Sequence, residues 1–344
     1  MQTPVKENTN KLSRKDFASD RDVKWCPGCG DYVILATLQK ALASLNKPKE
    51  EIVCVSGIGC SSRLPYYLDT YGIHSIHGRA AAVATGVKLA NPGLSVWVIS
   101  GDGDCMAIGG NHLIHAARRN VDLNIIIFNN KIYGMTKGQS SPTTPLGKKT
   151  KTAPEGSYER PFNIGEVAIG AGATFFARVP DNDPRLLEEV MLQAHAHEGT
   201  SIIEVLQNCV IFTDGIHEQI TGRDTKDDNQ LILENGKPMI FGKDQKYGIR
   251  VDKMKLEKVA LKENGKQQDD ILVHDTREES FELQMALARM KLPDFPVAMG
   301  IIRQSETESA FESDVHNAIT RSKDASPYGN LKELFHSGNT WDVK

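Results

Sequence analysis

This sequence predicts an α/β fold, an open and mostly parallel sheet with helices on both of its faces, and three observations lead there. Five short runs rich in Val and Ile, at residues 51–56, 95–100, 123–128, 173–179 and 201–206, are too short for helices. Several are apolar at nearly every position, as strands covered on both faces are. Between them, residues 80–90, 105–119 and 183–198 carry apolar side chains at three-to-four spacing, which predicts helices. Strand and crossover helix repeated in this way give a parallel sheet whose ligands bind in the loops at the carboxyl ends of the strands.

Taken in order, residues 1–20 are polar and charged and predict a flexible N-terminal arm. Residues 21–213 hold the strand and helix alternation and form the principal domain. Residues 214–344 read as a C-terminal extension. Within it, 226–269 is an accessory segment dense in Lys, Asp, Glu and Asn, with turns at Asn235-Gly236 and Asn264-Gly265. A helix over 277–290, a last strand over 297–302 and a polar tail complete the chain.

At 344 residues, one large domain with appendages or two domains is expected. The composition, 40% hydrophobic and 25% charged with a formal net charge of -3, is that of an ordinary soluble protein and favours neither nucleic acid nor a membrane as partner. No run approaches the length of a membrane span, and the first twenty positions do not read as a secretory leader, so the cytoplasm is the expected setting. Six cysteines are too few for a disulfide scaffold; a Cys-x-x-Cys pair in such a chain points to metal or redox chemistry.

The strongest local signal is the run of 95–100 into Gly101-Asp102-Gly103-Asp104, followed by a helix. Glycines let the backbone approach a phosphate, a helix start offers free N–H groups, and an Asp there can hold a divalent cation. The next strand ends in Asn129-Asn130, which places amide oxygens at the neighbouring strand end.

Cys26-Pro27-Gly28-Cys29 supplies two thiolates at a spacing that suits zinc or an iron-sulfur cluster. Cys60 and Cys209 each follow a strand, on the edge where the Gly-Asp-Gly-Asp run lies, and complete a quartet. Cys54 lies inside an apolar run and reads as a buried inert thiol, and Cys105 as a packed small residue. On the residues alone, zinc and a [4Fe-4S] cluster both fit the quartet.

Gly-Asp-Gly followed after 25 residues by Asn-Asn resembles the diphosphate motif of thiamine-diphosphate enzymes. Together with Trp25-Cys26-Pro27-Gly28-Cys29-Gly30, Ser56-Gly57-Ile58-Gly59-Cys60-Ser61, His77-Gly78-Arg79-Ala80 and Tyr133-Gly134-Met135-Thr136-Lys137-Gly138-Gln139, it resembles the β subunit of 2-oxoacid:ferredoxin oxidoreductases. The likeness covers residues 24–213, and Asp294-Phe295-Pro296 looks like the 2-oxoglutarate branch.

The resemblance implies the diphosphate-type domain of the thiamine-diphosphate-binding fold. It implies Mg²⁺ on Asp102, Asn130 and the carbonyl of Ile132, with the diphosphate at the run from Gly101. Ile58, Gly59, Cys60, Ser61, His77, Gly103, Asp104, Gly134 and Met135 would line thiamine diphosphate, and Cys26, Cys29, Cys60 and Cys209 would hold a [4Fe-4S] cluster. His77, Arg63 and Lys137 become candidates for the catalytic machinery, the last two for pairing with substrate carboxylates. Residues 139–144 would form an active-site loop.

The implied reaction is oxidative decarboxylation of a 2-oxoacid, 2-oxoglutarate first and pyruvate or a broader range second, to an acyl-CoA, with electrons passing to ferredoxin. The glutamate that activates thiamine is expected on an α subunit, so the chain would work only in a heteromeric assembly. A thiamine-dependent decarboxylase or synthase, which needs no cysteine quartet, and a non-catalytic zinc-binding α/β module are the alternatives.

Overall fold

The computed structural model describes residues 12–261, 270–306, 309–326 and 329–343. The first part of the polar arm and the end of the accessory segment, with the turn expected at Asn264-Gly265, lie outside the described residues.

In chain order the core contains α1 (Asp31–Ser44), β1 (Ile52–Ser56), β2 (Tyr71–His74), α2 (Ala80–Ala90), β3 (Ser95–Gly101), α3 (Asp102–Met106), α4 (Gly110–Arg119), β4 (Leu123–Asn129), α5 (Ile164–Gly170), β5 (Phe175–Pro180), α6 (Pro184–Ala196) and β6 (Thr200–Leu206). Beyond it lie α7 (Glu218–Thr221), α8 (Lys226–Asn229), β7 (Gln230–Leu233), β8 (Ile240–Phe241), β9 (Tyr247–Asp252), β10 (Lys255–Ala260), α9 (Glu282–Arg289), β11 (Val297–Gln304), α10 (Phe311–Asp324) and α11 (Leu331–Phe335).

Eight strands form one sheet in the order β2-β1-β3-β4-β6-β5-β11-β7. The first six run parallel; β11 meets β5 antiparallel and carries β7 parallel to itself. The sheet is therefore continuous across residue 213. Part of the accessory segment supplies its edge strand, and the rest includes a small antiparallel sheet, β10-β9-β8.

The unbroken apolar runs have a direct physical reason. Successive side chains of a strand point to opposite faces, and here each face has its own core. Val53, Val55, Val96, Val98, Ile125 and Ile127 belong to one core. Ile52, Cys54, Trp97, Ile99, Ile126 and Phe128 belong to the other, where α1 packs against α6. Both faces being covered, alternation with polar residues is absent, and each fully buried Ile or Val contributes about 1.5–3 kcal/mol.

Several expected elements need correction. The helix expected over 105–119 is two helices, α3 and α4, and it begins at Asp102, inside the expected turn. It breaks at Gly109, where a Cβ would meet the Asp104 carbonyl at 2.5 Å and the Cα of Gly78 at 3.0 Å. The helix expected over 277–290 begins only at Glu282, because the Asp275 side chain accepts from the Arg277 N–H at 2.8 Å and holds a turn there. Part of the expected polar tail is the 14-residue α10, docked through Phe311 and through Glu312, which accepts from the Asp122 N–H at 3.2 Å. By contrast, α6 starts as its sequence implies: Pro184 opens it and the Asp183 side chain accepts from the Leu186 N–H at 3.1 Å. No helix among the described residues is long and apolar enough to cross a membrane.

Candidate active site at the carboxyl ends of β1, β3 and β4

Three neighbouring strands, β1, β3 and β4, end side by side, and the loops that leave them enclose a cavity of about 480 Å³. That is within the range of cofactor pockets. Its walls include Ile58, Gly59, Cys60 and Ser61 after β1, His77 before α2, Gly101, Asp102, Gly103 and Asp104 at the β3 end, and Asn130, Ile132, Gly134 and Met135 after β4. Asp31, Phe128, Tyr133, Thr136 and Gln139 complete the lining. Arg63 and Lys137 do not line it: Arg63 Nε donates to the Tyr67 hydroxyl at 3.0 Å, and Lys137 is exposed on a turn with φ +76°.

Asp104 ties this wall together. Its Oδ1 accepts from the N–H groups of Ile58 (3.0 Å) and Gly78 (2.7 Å) and sits 2.8 Å from His77 Nδ1, and its Oδ2 accepts from Ser100 Oγ at 2.6 Å. Gly57 must be glycine here, since a Cβ would stand 1.9 Å from Asp104 Oδ2. The carboxylate thus locks the loop after β1 and the loop before α2 onto β3.

Asp102 plays a different part. Ser141 Oγ and Thr143 Oγ1 donate to its Oδ2 at 2.5 and 2.6 Å. Burial raises its pKa to about 6 although these hydroxyls and the N–H groups of Gly103 and Asn130 pull it down. A buried carboxylate held back from ionising is one that gains from a nearby cation. Asn130 Oδ1 accepts from the Ile132 N–H at 3.1 Å, which orients the amide beside it. Across the cavity, Tyr133 lies on Gly103, whose Cβ would fall 2.3 Å from the ring, and its hydroxyl donates to the Gly103 carbonyl at 2.8 Å. Ser141 and Thr143 fall within the loop expected over 139–144, but their grip on Asp102 had no signal in the sequence.

Of the four cysteines expected to act together, Cys60 lines the cavity and Cys26, Cys29 and Cys209 are outside its lining. A Cβ on Gly134 would lie 3.6 Å from Cys60 Sγ and 3.7 Å from Cys209 Sγ, so both sulfurs converge on one bare backbone position. Burial raises the Cys29 and Cys60 pKa values, Cys60 to about 12, followed by the charge of Asp31; Cys29 also feels Cys60 and Cys209, and Cys60 feels Cys209 and Cys26. Gln207 Nε2 donates to Cys29 Sγ at 3.3 Å and Trp25 Nε1 to the Cys60 carbonyl at 2.7 Å. Among the described residues, no three His, Cys, Asp or Glu side chains stand close enough to hold a single metal ion. Cys54 and Cys105 are buried, and burial raises each pKa to about 12, against the lowering a helix start alone would give Cys105.

Asp31, at the start of α1, was not anticipated. It is 1% exposed, and burial with the neighbouring charge of Asp181 raises its pKa to about 7. An acidic residue directly after Cys29-Gly30 was the only hint.

Residues 57–205 match the family described as thiamine pyrophosphate enzyme, C-terminal TPP binding domain. The 2-oxoglutarate oxidoreductase subunit KorB of Mycobacterium tuberculosis is 44% identical over 337 residues, 96% of this chain and 88% of that protein. The 2-oxoglutarate synthase subunit KorB of Archaeoglobus fulgidus is 51% identical over 185 residues, 54% of this chain and 69% of that protein. A solved chain of the 2-oxoglutarate:ferredoxin oxidoreductase from Magnetococcus marinus, with 2-oxoglutarate, coenzyme A and succinyl-CoA bound, superposes with a TM-score of 0.76 at 30% identity, covering 97% of this chain and 98% of that one. With the thiamine-type cavity and the likeness running nearly end to end, the chain belongs to the family of 2-oxoacid:ferredoxin oxidoreductase β subunits.

Proposed function

We propose that this chain, paired with an α subunit, converts 2-oxoglutarate and coenzyme A to succinyl-CoA and CO₂ while two electrons pass, one at a time, through a [4Fe-4S] cluster to two oxidised ferredoxins. The observation that carries the reading is a shared wall. Cys60 and Gly134 line the cavity, and Gly134 is the backbone on which the sulfurs of Cys60 and Cys209 converge.

Thiamine diphosphate, when bound, supplies the carbon nucleophile and electron sink that decarboxylation of a 2-oxoacid requires. The residues here fit it. Asp102, Asn130 and the Ile132 carbonyl would hold Mg²⁺, a cation that takes one or two side-chain oxygens beside phosphate and water. The diphosphate would lie at the run from Gly101, where the start of α3 offers free N–H groups, while the bare Gly103 makes room for the Tyr133 ring. Asp104 keeps the loops of Ile58 and His77 in place, and His77, with its ring 42% exposed, would be available to the bound cofactor or substrate. Arg63 and Lys137 lie outside the walls but next in chain to Ser61-Ser62 and Thr136, and stay candidates for the distal carboxylate of the substrate.

Cys26, Cys29, Cys60 and Cys209 would hold the cluster. Four thiolates would suit zinc as well, and it is the redox reaction of the similar 2-oxoglutarate:ferredoxin oxidoreductase that supports a cluster over zinc. The cysteines also speak against a plain decarboxylase. The activating glutamate is expected from the α subunit, and the cytoplasm is the setting that suits a ferredoxin-linked enzyme.

The test is anaerobic co-purification with the α subunit. Iron and acid-labile sulfide, with coenzyme A-dependent turnover of 2-oxoglutarate faster than of pyruvate, is the expected result. A colourless zinc protein, or turnover without coenzyme A or an electron acceptor, would sink the proposal.

A further inference from the structure

Behind Asp102, at the ends of β4 and β6, lies a second cavity of about 780 Å³ to which none of the roles above extends. Asn129 and Thr143 stand between the two: Thr143 Oγ1 is within 2.6 Å of Asp102 Oδ2 and 3.0 Å of Asn129 Oδ1. Its lining carries four cationic side chains, Lys131, Arg178, Arg289 and Lys291, against three carboxylates, Glu166, Glu204 and Asp294.

Two of its buried polar groups are without partners. Arg178, on β5, is 5% exposed; its Nε donates to Glu204 Oε2 at 2.7 Å and its Nη2 to the Ala288 carbonyl at 3.3 Å, but Nη1 has no partner. Glu204 offers no further help, because its other oxygen accepts from Asn129 Nδ2 at 2.7 Å. His217 is 3% exposed, and its Nε2 lies 2.8 Å from the Asn129 carbonyl. A carbonyl can only accept, so Nε2 carries the proton and Nδ1, also without a partner, is a bare acceptor. Burial lowers the His217 pKa to about 4, in keeping with a neutral ring. Lys131 and Arg178 are close enough for His217 to feel their charges.

A buried donor and a buried acceptor left unmade both destabilise the fold, because each has given up its water without gaining a partner. One molecule satisfies both if it brings a negative oxygen for Arg178 and a hydroxyl hydrogen for His217. Phe162, Met290, Leu292 and Phe295 give the same cavity apolar walls for a carbon skeleton, which free phosphate would not use. Phe295 belongs to the Asp294-Phe295-Pro296 motif that the proposed reaction leaves without a role. We infer that this cavity binds a small carboxylate that carries a hydroxyl group, with the carboxylate on Arg178 Nη1 and Lys131 and the hydroxyl donating to Nδ1 of His217.

The test titrates the α/β assembly, loaded with thiamine diphosphate and Mg²⁺, with malate and with succinate, the same skeleton without the hydroxyl, by calorimetry. Malate is expected to bind roughly tenfold to a hundredfold tighter than succinate, the discrimination one buried hydrogen bond supplies. His217→Phe should remove that preference. Leu292→Trp, at a half-buried wall position, should weaken malate about tenfold by filling the cavity, and it decides the matter if His217→Phe fails to fold. No malate binding, equal binding of the two acids, a preference that survives His217→Phe, malate affinity unchanged by Leu292→Trp, or a crystal grown with malate that shows only water at Arg178 Nη1 would each overturn the inference.

Discussion

The carboxylate wall of the candidate active-site cavity and the cysteine wall, of which Cys60 lines that cavity, are built on different principles. The carboxylate wall is tied by hydrogen bonds formed without any cofactor: Asp104 alone gathers two loop N–H groups, a histidine and a serine, and Asp102 two hydroxyls. The cysteine wall draws Cys26 and Cys29, Cys60 and Cys209 from three distant parts of the chain. Around it, Gln207 Nε2 donates to Cys29 Sγ and Trp25 Nε1 to the Cys60 carbonyl, and backbone bonds run from the Cys29 N–H to the Cys26 carbonyl, from the Arg63 N–H to the Cys60 carbonyl and from the Thr213 N–H to the Cys209 carbonyl. In the first wall the bonds end on the carboxylates themselves; in the second most of them end on backbone groups and leave the sulfurs to what they bind. Ligation energy becomes folding energy where the site is not otherwise held.

Breaking the carboxylate wall should therefore have the largest effect. Asp104→Ala strands the N–H groups of Ile58 and Gly78 and the Ser100 hydroxyl, at a cost of about 4 kcal/mol, and should abolish thiamine diphosphate binding as well. Urea unfolding of the apoprotein reads the first and calorimetry the second. A loss below about 1 kcal/mol would mean that this wall is not preorganised.

Acid tests the opposite end of the sheet, away from both walls. His197, 8% exposed, donates from Nε2 to Thr174 Oγ1 at 2.7 Å, the threonine in turn donating to Asn120. Burial lowers its pKa from 6.5 to about 4. Between those values the unfolded chain takes up a proton that the folded chain refuses, so this contribution is complete above pH 6.5 and is lost as pH falls toward 4. The loss is up to about 3 kcal/mol. His197→Gln should flatten that stretch of the stability-pH curve, and an unchanged slope would show that the ring titrates freely.

Asp102→Ala separates the walls directly. If Asp102 ligates Mg²⁺ as proposed, Mg²⁺-dependent affinity for thiamine diphosphate should fall about a hundredfold, the loss of a charged ligand, while iron content stays the same. Undiminished affinity would remove Asp102 from the metal site.

How much of this was legible in the sequence follows from the same contrast. Strands buried on both faces announce themselves as unbroken apolar runs, and Gly101-Asp102-Gly103-Asp104 announces the strand end on which the cavity is built. The closure of Ser141 and Thr143 on Asp102 does not, because it joins hydroxyls 39 and 41 residues away through folding of a loop without periodicity. Helix α1 escaped notice for another reason. It buries Asp31, Thr37 and Gln39 along with its apolar residues, so polar positions do not mark an exposed face. The charged segment hid β7, whose Leu231 and Leu233 turn inward from a polar neighbourhood. The cysteines were readable as a set since strand ends fix where Cys60 and Cys209 emerge, but the side chains that support them were not.

The mildest perturbation tests that support. Trp25→Phe removes the indole donor to the Cys60 carbonyl while keeping an aromatic ring edge-on to Tyr32 and Tyr67, whose centroids lie 5.6 and 4.9 Å away. The cost to overall stability should be about 1 kcal/mol, the worth of one hydrogen bond. Because the carbonyl released belongs to Cys60, whose sulfur would ligate the cluster, that loss should fall mainly on the cluster, with iron leaving about fivefold faster under a chelator while thiamine diphosphate affinity is unchanged. If both cofactors weaken together, Cys60 transmits the change through Ser61 to the β3 end, whose Gly101 lies within reach of the Ser61 hydroxyl. The two walls would then be one mechanical unit, and their apparent independence a property of the hydrogen-bond pattern alone.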